Sequence, residues 1–486
     1  MNAARFVLMP PSGFRAAEVS LTLGLRELFS RRPRFLARFP KVTLLDSISE
    51  DGPKLVSFRP DHAPALRACC PGLRIEPLCF FRPALAPRVR PALRPMVRSA
   101  ERLRRWTIRV VDAPTGTPVR DALVVILTNT KARVGVDAVT DASGMARFSL
   151  PSSISRAEQV LVYPKSAFWG ALRRNAPLDS LGEIRLRPAD PSWPGALQHF
   201  YGAANANDGK GVRVAVVDTG VDRKHTDLHV TGGRNTVFGE KPDDFGDNGE
   251  GHGTHVAGII AGCGTPPKGC RGLAPAAELR SYRVFPKGSG EASNYSIAKA
   301  LDGAAHDRCD LVNLSLGGGA PDPVIRAAIE HARRHGTLVL AAAGNENRSP
   351  VSFPASDSLS LAVSAMGREG TFPEDSVETL DIAPPRGTDR KNFIAAFSNV
   401  GIETDLTAPG VGIVSTYPGG YAAMSGTSMA CPAATGVAAA LLGRNSTLLR
   451  RPRDAERSAR IAALLLDSTR TLGFGAKFEG QGMPRP

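Results

Sequence analysis

The sequence predicts a large α/β domain with a doubly wound, mostly parallel sheet, preceded by a small α+β domain and a β-sandwich module. Three observations predict this organisation. Strand-like and helix-like patterns alternate over residues 1–83, and short β-rich segments follow over 106–188. From about residue 196 onward, nearly all-apolar strands alternate with helical stretches. Continuous apolar runs are typical of parallel strands that are covered on both faces.

Length and composition fit a multidomain globular chain. The 486 residues suffice for about two to four domains. With 42% hydrophobic and 22% charged residues, the composition argues against a disordered chain. No apolar run approaches the roughly 18 residues that a membrane span requires. The first residues do not resemble a secretory signal. The sequence therefore does not decide the compartment: the cytoplasm is the default, and export by an unrecognised route is the alternative.

The net charge is concentrated at the front of the chain. Residues 1–109 contain 21 Lys and Arg against 8 Asp and Glu, so this part supplies +13 of the total of +15. A basic surface can attract nucleic acid. No zinc-finger spacing, aromatic RNA-binding signature or helix-turn-helix pattern accompanies the charge. We therefore expect a solvated or partner-binding basic segment, and no nucleic-acid partner.

The elements follow in a readable order. Residues 1–83 read as βαββαβ, with a strand predicted over RIEPLCFF, and this order closes a small antiparallel sheet under two helices. Residues 84–105 are rich in proline and arginine, which predicts an extended linker. Turn signals separate the short strands of 106–188, as in a small β-sandwich. The α/β domain is expected over 196–475, with the polar segment 367–393 as a surface excursion.

Three motifs of the α/β domain end a strand or begin a helix, where such sheets place their active sites. Asp218 ends the strand of VAVVDTG, His252 precedes a helix in GHGTHVAG, and Ser428 precedes another in SGTSMACP. A serine hydroxyl is a weak nucleophile at neutral pH, so an imidazole must take its proton and a carboxylate must orient that imidazole. Asn345 follows the strand of LAAAGNEN and can donate its amide to a developing oxyanion.

The order Asp, His, Asn, Ser in DTG, HGTHVAG, AAGNE and GTSMA resembles the subtilase (subtilisin-like serine protease) family over about residues 196–475. The resemblance implies that Asp218, His252 and Ser428 form the catalytic triad. It also implies that Asn345 is the oxyanion donor. Peptide bonds would then be hydrolysed through an acyl-enzyme, and the chemistry would require no cofactor.

The resemblance also implies how a peptide or protein substrate binds. Family members clamp an extended peptide by strand addition on two segments, which match GSGEA and SLGGG here. The residues implied to contact substrate are Gly288, Gly290, Ser315, Leu316 and Gly317. Ser352 stands in the wall of the main specificity pocket, where glycine is frequent in the family. A serine narrows that pocket slightly and leaves large apolar side chains as the expected preference.

The sequence leaves open whether one loop binds a calcium ion or contains a disulfide bond. Asp227 matches a calcium-binding carboxylate of the family, and carboxylates suit this hard cation. The loop that completes that site is here CGTPPKGC, which has no Asn or Asp side chain. Either Asp227 and backbone carbonyls hold a structural calcium ion, or a Cys263–Cys270 disulfide staples the loop instead. The odd count of 7 cysteines otherwise predicts free thiols.

The front half resembles known modules by pattern. The βαββαβ order of 1–83 resembles the family's propeptide, which implies an intramolecular chaperone and inhibitor. The segment 106–188 resembles a carboxypeptidase-regulatory-like module. Because the family's propeptide usually joins the catalytic domain directly, the intervening module departs from that layout. We expect any cleavage within the linker 84–105 or within 189–200.

Three functions fit these residues. The first is a serine endopeptidase. The second is a peptide-processing transamidase on the same scaffold, in which an amine rather than water resolves the acyl-enzyme. The third is a catalytically silent binding or chaperone protein. The presence of all four predicted catalytic side chains argues against this third function.

Overall fold

The computed structural model describes residues 3–16, 23–29, 41–97 and 101–486. Part of the predicted first helix, AAEVSLTLGLRELFSRR, lies outside these residues. Among the helices of the described ranges, none combines the length and the hydropathy needed to cross a membrane.

The N-terminal unit is a four-stranded antiparallel sheet with the strand order β2-β3-β1-β4. Its strands are β1 (Ala4–Met9), β2 (Thr43–Ser47), β3 (Lys54–Phe58) and β4 (Arg74–Pro77). Its helices are α1 (Leu23–Leu28), a short 3-10 turn (Pro60–His62) and α2 (Ala63–Cys69). Alternate residues of a strand face opposite sides of the sheet. Leu8 therefore packs in the unit's own core, whereas Val7 and Met9 join the core of the large α/β unit.

The strand predicted over residues 74–81 is wrong in its extent. The structure ends β4 at Pro77 and begins a separate strand, β5 (Phe80–Pro83). Proline has no backbone N–H to continue a ladder, which favours a break at this point. β5 leaves the N-terminal sheet and lies between β16 (Ala292–Ser293) and β18 (Leu316–Gly317), antiparallel to both.

Two facing sheets follow the linker. One has the strand order β11-β10-β7-β8 and the other β12-β6-β9. Side chains from both sheets, including Trp106, Val124 and Val160, form one core. We call this part the sandwich. Its strands are β6 (Leu103–Asp112), β7 (Leu123–Asn129), β8 (Val134–Val139), β9 (Met145–Pro151), β10 (Arg156–Tyr163), β11 (Ala171–Pro177) and β12 (Glu183–Leu186), with a 3-10 turn at Leu178–Ser180.

The large α/β unit contains the predicted mostly parallel sheet. Its order is β14-β15-β13-β17-β19-β20-β21, with β22 also pairing β20, and only β21 runs antiparallel within it. The strands are β13 (Arg213–Asp218), β14 (Val230–Asn235), β15 (Glu278–Arg283), β17 (Leu311–Leu314), β19 (Leu338–Ala342), β20 (Leu361–Arg368), β21 (Asn392–Ile394) and β22 (Leu406–Pro409).

Helices cover both faces of this sheet. Val214 and Val216 of β13 pack with α4 and α7, whereas Ala215 and Val217 pack with α5 and α6. These alternating contacts confirm the doubly wound arrangement. The helices are α3 (Ala196–Tyr201), α4 (His252–Ala261), α5 (Asn294–His306), α6 (Pro323–Arg334), α7 (Thr427–Arg444), α8 (Ser446–Leu449), α9 (Ala455–Asp467) and α10 (Ala476–Glu479). Short strands complete the unit: β23 (Ile413–Tyr417), β24 (Gly420–Met424), β25 (Thr469–Arg470) and β26 (Met483–Pro484).

The sandwich docks on the segment that the sequence predicts to be a surface excursion. Within 367–393, Phe372 and Glu378 are buried, the latter in a 3-10 turn over Val377–Asp381. The N–H of Leu172 donates to the carbonyl of Asp375 at 2.7 Å. The prediction is therefore wrong for this part of the segment, because the sandwich covers it.

Candidate active site

The ends of two neighbouring elements bring Asp218 and His252 together. Asp218 is the last residue of β13 and His252 is the first residue of α4. The two atoms Nδ1 of His252 and Oδ1 of Asp218 are 2.7 Å apart, and both side chains are almost fully buried. The start of α4 comes very close to the loop after β13, since a Cβ on Gly253 would lie 2.3 Å from the Gly220 carbonyl oxygen. Glycine at position 253 therefore permits this contact.

One ring nitrogen of His252 is left available. Its Nε2 is buried and has no hydrogen-bond partner among the described residues. A histidine whose Nδ1–H donates to a carboxylate has a lone pair on Nε2, which can accept a proton. With Nδ1 protonated, the ring would therefore present Nε2 as the acceptor that a general base needs.

Ser428 is the second residue of α7 and is fully buried. Its hydroxyl donates to the backbone carbonyl of Ser315 at 2.9 Å. Its backbone N–H donates to the carbonyl of Ala84 at 3.0 Å. The structure therefore joins Asp218 to His252, while the hydroxyl of Ser428 is bonded to a carbonyl of the neighbouring strand end.

Asn345 offers a fixed amide donor beside the start of α7. Its Oδ1 accepts the backbone N–H of Thr427 at 2.9 Å, which sets the orientation of the amide group. The Nδ2 of Asn345 is buried and has no partner among the described residues. The role of this Nδ2 as an oxyanion donor beside the N–H of Ser428 stays a prediction.

Residues 82–84 of the same chain lie in the cleft that contains the predicted catalytic side chains. In β5, Pro83 lies opposite Leu316 and Arg82 lies opposite Gly317. The N–H of Ala84 donates to the carbonyl of Ser315 at 3.1 Å. The predicted contact residues Ser315, Leu316 and Gly317 thus bind an extended segment, and this segment comes from the same chain.

The two predicted glycines lie outside this ladder. Ala292 and Ser293 pair with Phe81 and Phe80, whereas Gly288 and Gly290 make no strand pairs. Gly288 adopts φ +71, and neither glycine has a neighbour within 4 Å of an added Cβ. The bound segment therefore does not pair with these two glycines, and their contact with a substrate stays a prediction. The strand β16 begins only at Ala292, after the turn that contains the two glycines.

The segment that begins at Leu85 passes Ser428 and continues along the other side of the cleft. The N–H of Ala86 donates to the carbonyl of Ser425 at 2.9 Å. A Cβ on Gly426, whose φ is +155, would lie 2.6 Å from the carbonyl oxygen of Ala84. Only glycine permits so close an approach. The carbonyl group of the Ala84–Leu85 peptide bond therefore lies beside Gly426 and the backbone N–H of Ser428.

Adjacent phenylalanines of β5 differ sharply in burial. Phe81 is 2% exposed and its ring centroid lies 6.1 Å from that of Phe353, whereas Phe80 is 55% exposed. Arg82 forms an ion pair with Glu291 at 2.6 Å on the surface. The segment before the Ala84–Leu85 bond is therefore held by one apolar anchor and by backbone pairing.

The hydroxyl of Ser352, which the sequence predicts to lie in the wall of a specificity pocket, is hydrogen-bonded. Its Oγ donates to Oε2 of Glu346 at 3.1 Å and accepts from Nδ2 of Asn399 at 3.0 Å. The same amide of Asn399 also donates to Glu346. The three side chains form a closed polar cluster at this wall.

Asp227, the predicted calcium ligand, accepts hydrogen bonds. Its Oδ2 accepts the N–H of Cys270 at 2.7 Å and the hydroxyl of Tyr421 at 2.8 Å, and a calcium ion held by Asp227 and backbone carbonyls stays a prediction. The described residues contain no group of three or more His, Cys, Asp or Glu side chains suited to a metal ion. The alternative, a Cys263–Cys270 disulfide, is wrong, because both cysteines are free thiols. Hydrogen bonds to one carboxylate hold this loop.

Asp247 helps to position His252, a role that the sequence did not predict. Its carboxylate accepts the N–H of Gly251 at 3.0 Å and the hydroxyl of Thr254 at 2.7 Å, which fixes the turn just before His252. Burial raises the pKa of Asp247, and the nearby Asp218 charge adds to that rise. The only sequence signal was its place, five residues before the predicted catalytic histidine.

His255 lies one turn beyond His252 and has a structural environment. Its Nε2 lies 3.0 Å from the carbonyl oxygens of both Ile413 and Ala422. Burial lowers the pKa of His255 to about 3, so the ring is neutral at neutral pH. These contacts give His255 the environment of a packed, neutral side chain.

Comparison with known proteins identifies the class. The profile of the subtilase family matches residues 209–483, which is more than half of the chain. The chain therefore belongs to the subtilase family.

Individual relatives agree with this assignment. The chain is 40% identical over 238 residues to Subtilisin Savinase of Lederbergia lenta, which covers 49% of this chain and 78% of that protein. It is also 40% identical over 238 residues to the M-protease of Shouchella clausii, covering 49% of this chain and 55% of that protein. Subtilisin DY of Bacillus licheniformis is 34% identical over 250 residues, covering 50% of this chain and 81% of that protein. The chain thus spans little more than half of the M-protease's length.

Proposed function

We propose that the chain is a subtilisin-like serine endopeptidase that hydrolyses peptide bonds through an acyl-enzyme on Ser428. The observation that carries the proposal is the pair of Asp218 and His252, 2.7 Å apart, with Nε2 of His252 free to accept a proton. Family membership supports it independently.

The chemistry follows from the groups in the cleft. The hydroxyl of Ser428 exchanges the Ser315 carbonyl for Nε2 of His252, passes its proton to that nitrogen and attacks the substrate carbonyl. Asp218 holds the imidazole and stabilises the imidazolium that forms. The N–H of Ser428 and the amide of Asn345 stabilise the oxyanion. No cofactor takes part in these steps.

The substitution Ser428→Ala tests this proposal. We expect labelling by a fluorophosphonate and hydrolysis of a casein substrate to be lost together, with the circular dichroism spectrum unchanged. Hydrolysis that persists in a clean preparation would mean that another residue is the nucleophile. A native chain that neither labels nor hydrolyses would instead favour the catalytically silent binding protein.

The N-terminal unit acts as an inhibitor in cis, and the chain cuts itself between Ala84 and Leu85. Support comes from the carbonyl of Ala84, which accepts the N–H of Ser428, one of the two oxyanion donors proposed above. This bond lies within the linker 84–105. Sequencing the new N-terminus of material that has become active tests this part: Leu85 is the expected first residue, and an intact bond in fully active material would contradict it.

A further inference from the structure

The segment that follows the Ala84–Leu85 bond is fastened to the sandwich. The N–H of Val89 donates to the hydroxyl of Tyr163 at 3.2 Å. The guanidinium of Arg133 donates through Nε to the carbonyl of Arg90 at 2.9 Å and also through Nη2. The segment is therefore fixed within five residues of the bond.

The fastening continues beyond these two contacts. The N–H of Ala92 donates to the carbonyl of Arg133 at 2.8 Å, and the carbonyl of Leu93 accepts from Gly135 at 3.0 Å. These bonds add Leu93 to the edge of the sandwich, in a bridge with Val134. Backbone pairing thus holds the segment in register.

The sandwich is in turn anchored on the α/β unit. Trp169 is 1% exposed and belongs to the core of that unit, where its ring lies 5.5 Å from that of Trp193. The N–H of Ala167 donates to the carbonyl of Tyr421 at 3.0 Å. Arg173 forms an ion pair with Asp375 at 2.9 Å. The segment after the bond therefore stays on the α/β unit when the bond is cut.

The geometry confines the amine that cleavage would create. From Leu85 to the contact at Val89, the chain can span at most about 14 Å when fully extended. The bond between the N–H of Ala86 and the carbonyl of Ser425 shortens this reach further. A tethered nucleophile acts at an effective concentration of mM or far above, depending on its orientation.

We infer that in this chain the acyl-enzyme formed at Ala84 is resolved by the retained amine of Leu85 as well as by water, so that this bond is cut and re-formed repeatedly. This further activity, self-ligation, rests on the proposed hydrolytic function. It gives the amine-resolved reaction a specific substrate, the chain's own residue 85.

The steps balance without any other reactant. In the forward direction, the Ser428 oxygen bonds to the Ala84 carbon, the bond to the Leu85 nitrogen breaks, and the serine proton reaches that nitrogen through His252. In the reverse direction, the Leu85 amine attacks the ester, the ester bond breaks, and a proton returns to Ser428. Hydrolysis instead places a water oxygen in the Ala84 carboxylate. Re-acylation of this carboxylate releases one of its two oxygens as water.

Oxygen exchange in the full-length chain tests the inference. The purified chain is incubated in H₂¹⁸O at neutral pH, and the peptide that spans Ala84–Leu85 is isolated from the intact fraction for mass spectrometry. We expect a gain of 2 Da that is confined to Ala84 and grows with time, with intact and cleaved chain coexisting at the end point. The Ser428→Ala chain should gain nothing.

A double variant tests the role of the fastening. Tyr163→Phe together with Arg133→Ala removes the hydroxyl and the guanidinium that hold residues 89 and 90. We expect the ratio of intact to cleaved chain at the end point to fall by roughly two- to tenfold, the size of one or two net hydrogen bonds. Arg120→Ala is the control, because this exposed arginine of the same sandwich pairs with its neighbour Asp121 at 3.0 Å. The control should keep the native ratio.

The outcomes separate the two proposals. Complete cleavage without label in any remaining intact chain overturns self-ligation and leaves the endopeptidase standing. An intact bond with no label, in a chain that hydrolyses casein, overturns the inference that water and the retained amine compete for the acyl-enzyme at Ala84. Absence of both casein hydrolysis and fluorophosphonate labelling contradicts the proposed function itself. An unchanged ratio in the double variant would show that the sandwich contacts do not retain the amine.

Discussion

The two segments that meet at the Ala84–Leu85 bond are held in the cleft by different means. The segment 80–84 pairs with β16 and β18 and inserts Phe81 into an apolar site. The segment 85–93 is held largely by the sandwich, which continues covalently into the α/β unit. All 7 cysteines are free, so no disulfide ties the N-terminal unit to the remainder. Cutting the bond therefore turns the first segment into a dissociable ligand and leaves the second in place.

Weakening the attachment of the sandwich to the α/β unit should also weaken the hold on the second segment, 85–93. We expect the largest effect from this change. Trp169→Ala removes a fully buried ring from the core of the α/β unit, at an expected cost of about 3–5 kcal/mol. We expect faster hydrogen exchange over residues 371–378, which the sandwich covers. Trp106→Ala is the matched control, because Trp106 packs inside the sandwich's own core. Equal exchange over 371–378 in both variants would contradict the anchoring role of Trp169.

Removing the oxyanion amide should slow the cut between the two segments. Asn345→Ala deletes the unpartnered Nδ2 that we assign to the developing negative charge. We expect kcat to fall by about 10²–10³, the general size for a lost oxyanion donor, for which subtilisin is the standard example. Self-cleavage and casein hydrolysis should slow together with little change in KM. A rise in KM at constant kcat would assign Asn345 to ground-state binding instead.

Truncating the apolar anchor should affect the first segment alone. Phe81→Ala removes the burial of one phenylalanine, worth about 1.5–3 kcal/mol. Retention of residues 1–84 after cleavage should therefore weaken by roughly ten- to hundredfold, measured as activity regained on dilution of cleaved chain. Phe80→Ala is the adjacent control, since Phe80 is 55% exposed. Equal release by both variants would show that backbone pairing alone holds the segment.

The sequence predicts best those features that local chemistry determines. The apolar run of β13 predicts a buried parallel strand, and the structure confirms the mostly parallel sheet. Asp218 at the end of that strand and His252 at the start of a helix are brought to 2.7 Å, because both termini lie at the same edge of the sheet.

Long-range register was beyond the reach of sequence patterns. Nothing in the composition of residues 80–86 distinguishes a strand of the N-terminal sheet from one that lies in the cleft. The choice depends on backbone partners more than two hundred positions away, at residues 292–293 and 316–317. The contacts of Asp227 with the loop 263–270 could not be predicted for a similar reason: the hydroxyl that donates to its carboxylate belongs to Tyr421.

The surface ion pair of the first segment should give the smallest effect. Arg82 and Glu291 are 2.6 Å apart, but their side chains are 77% and 44% exposed. Exposed pairs of this kind contribute at most about 1 kcal/mol, because water and salt screen them. Arg82→Ala should therefore speed release of residues 1–84 by roughly fivefold or less at low ionic strength, and the difference from the native chain should vanish in 1 M salt. The charge-reversed pair Arg82→Glu with Glu291→Arg should restore much of the loss. An effect as large as that of Phe81→Ala would mean that charge, rather than the buried ring, holds the first segment.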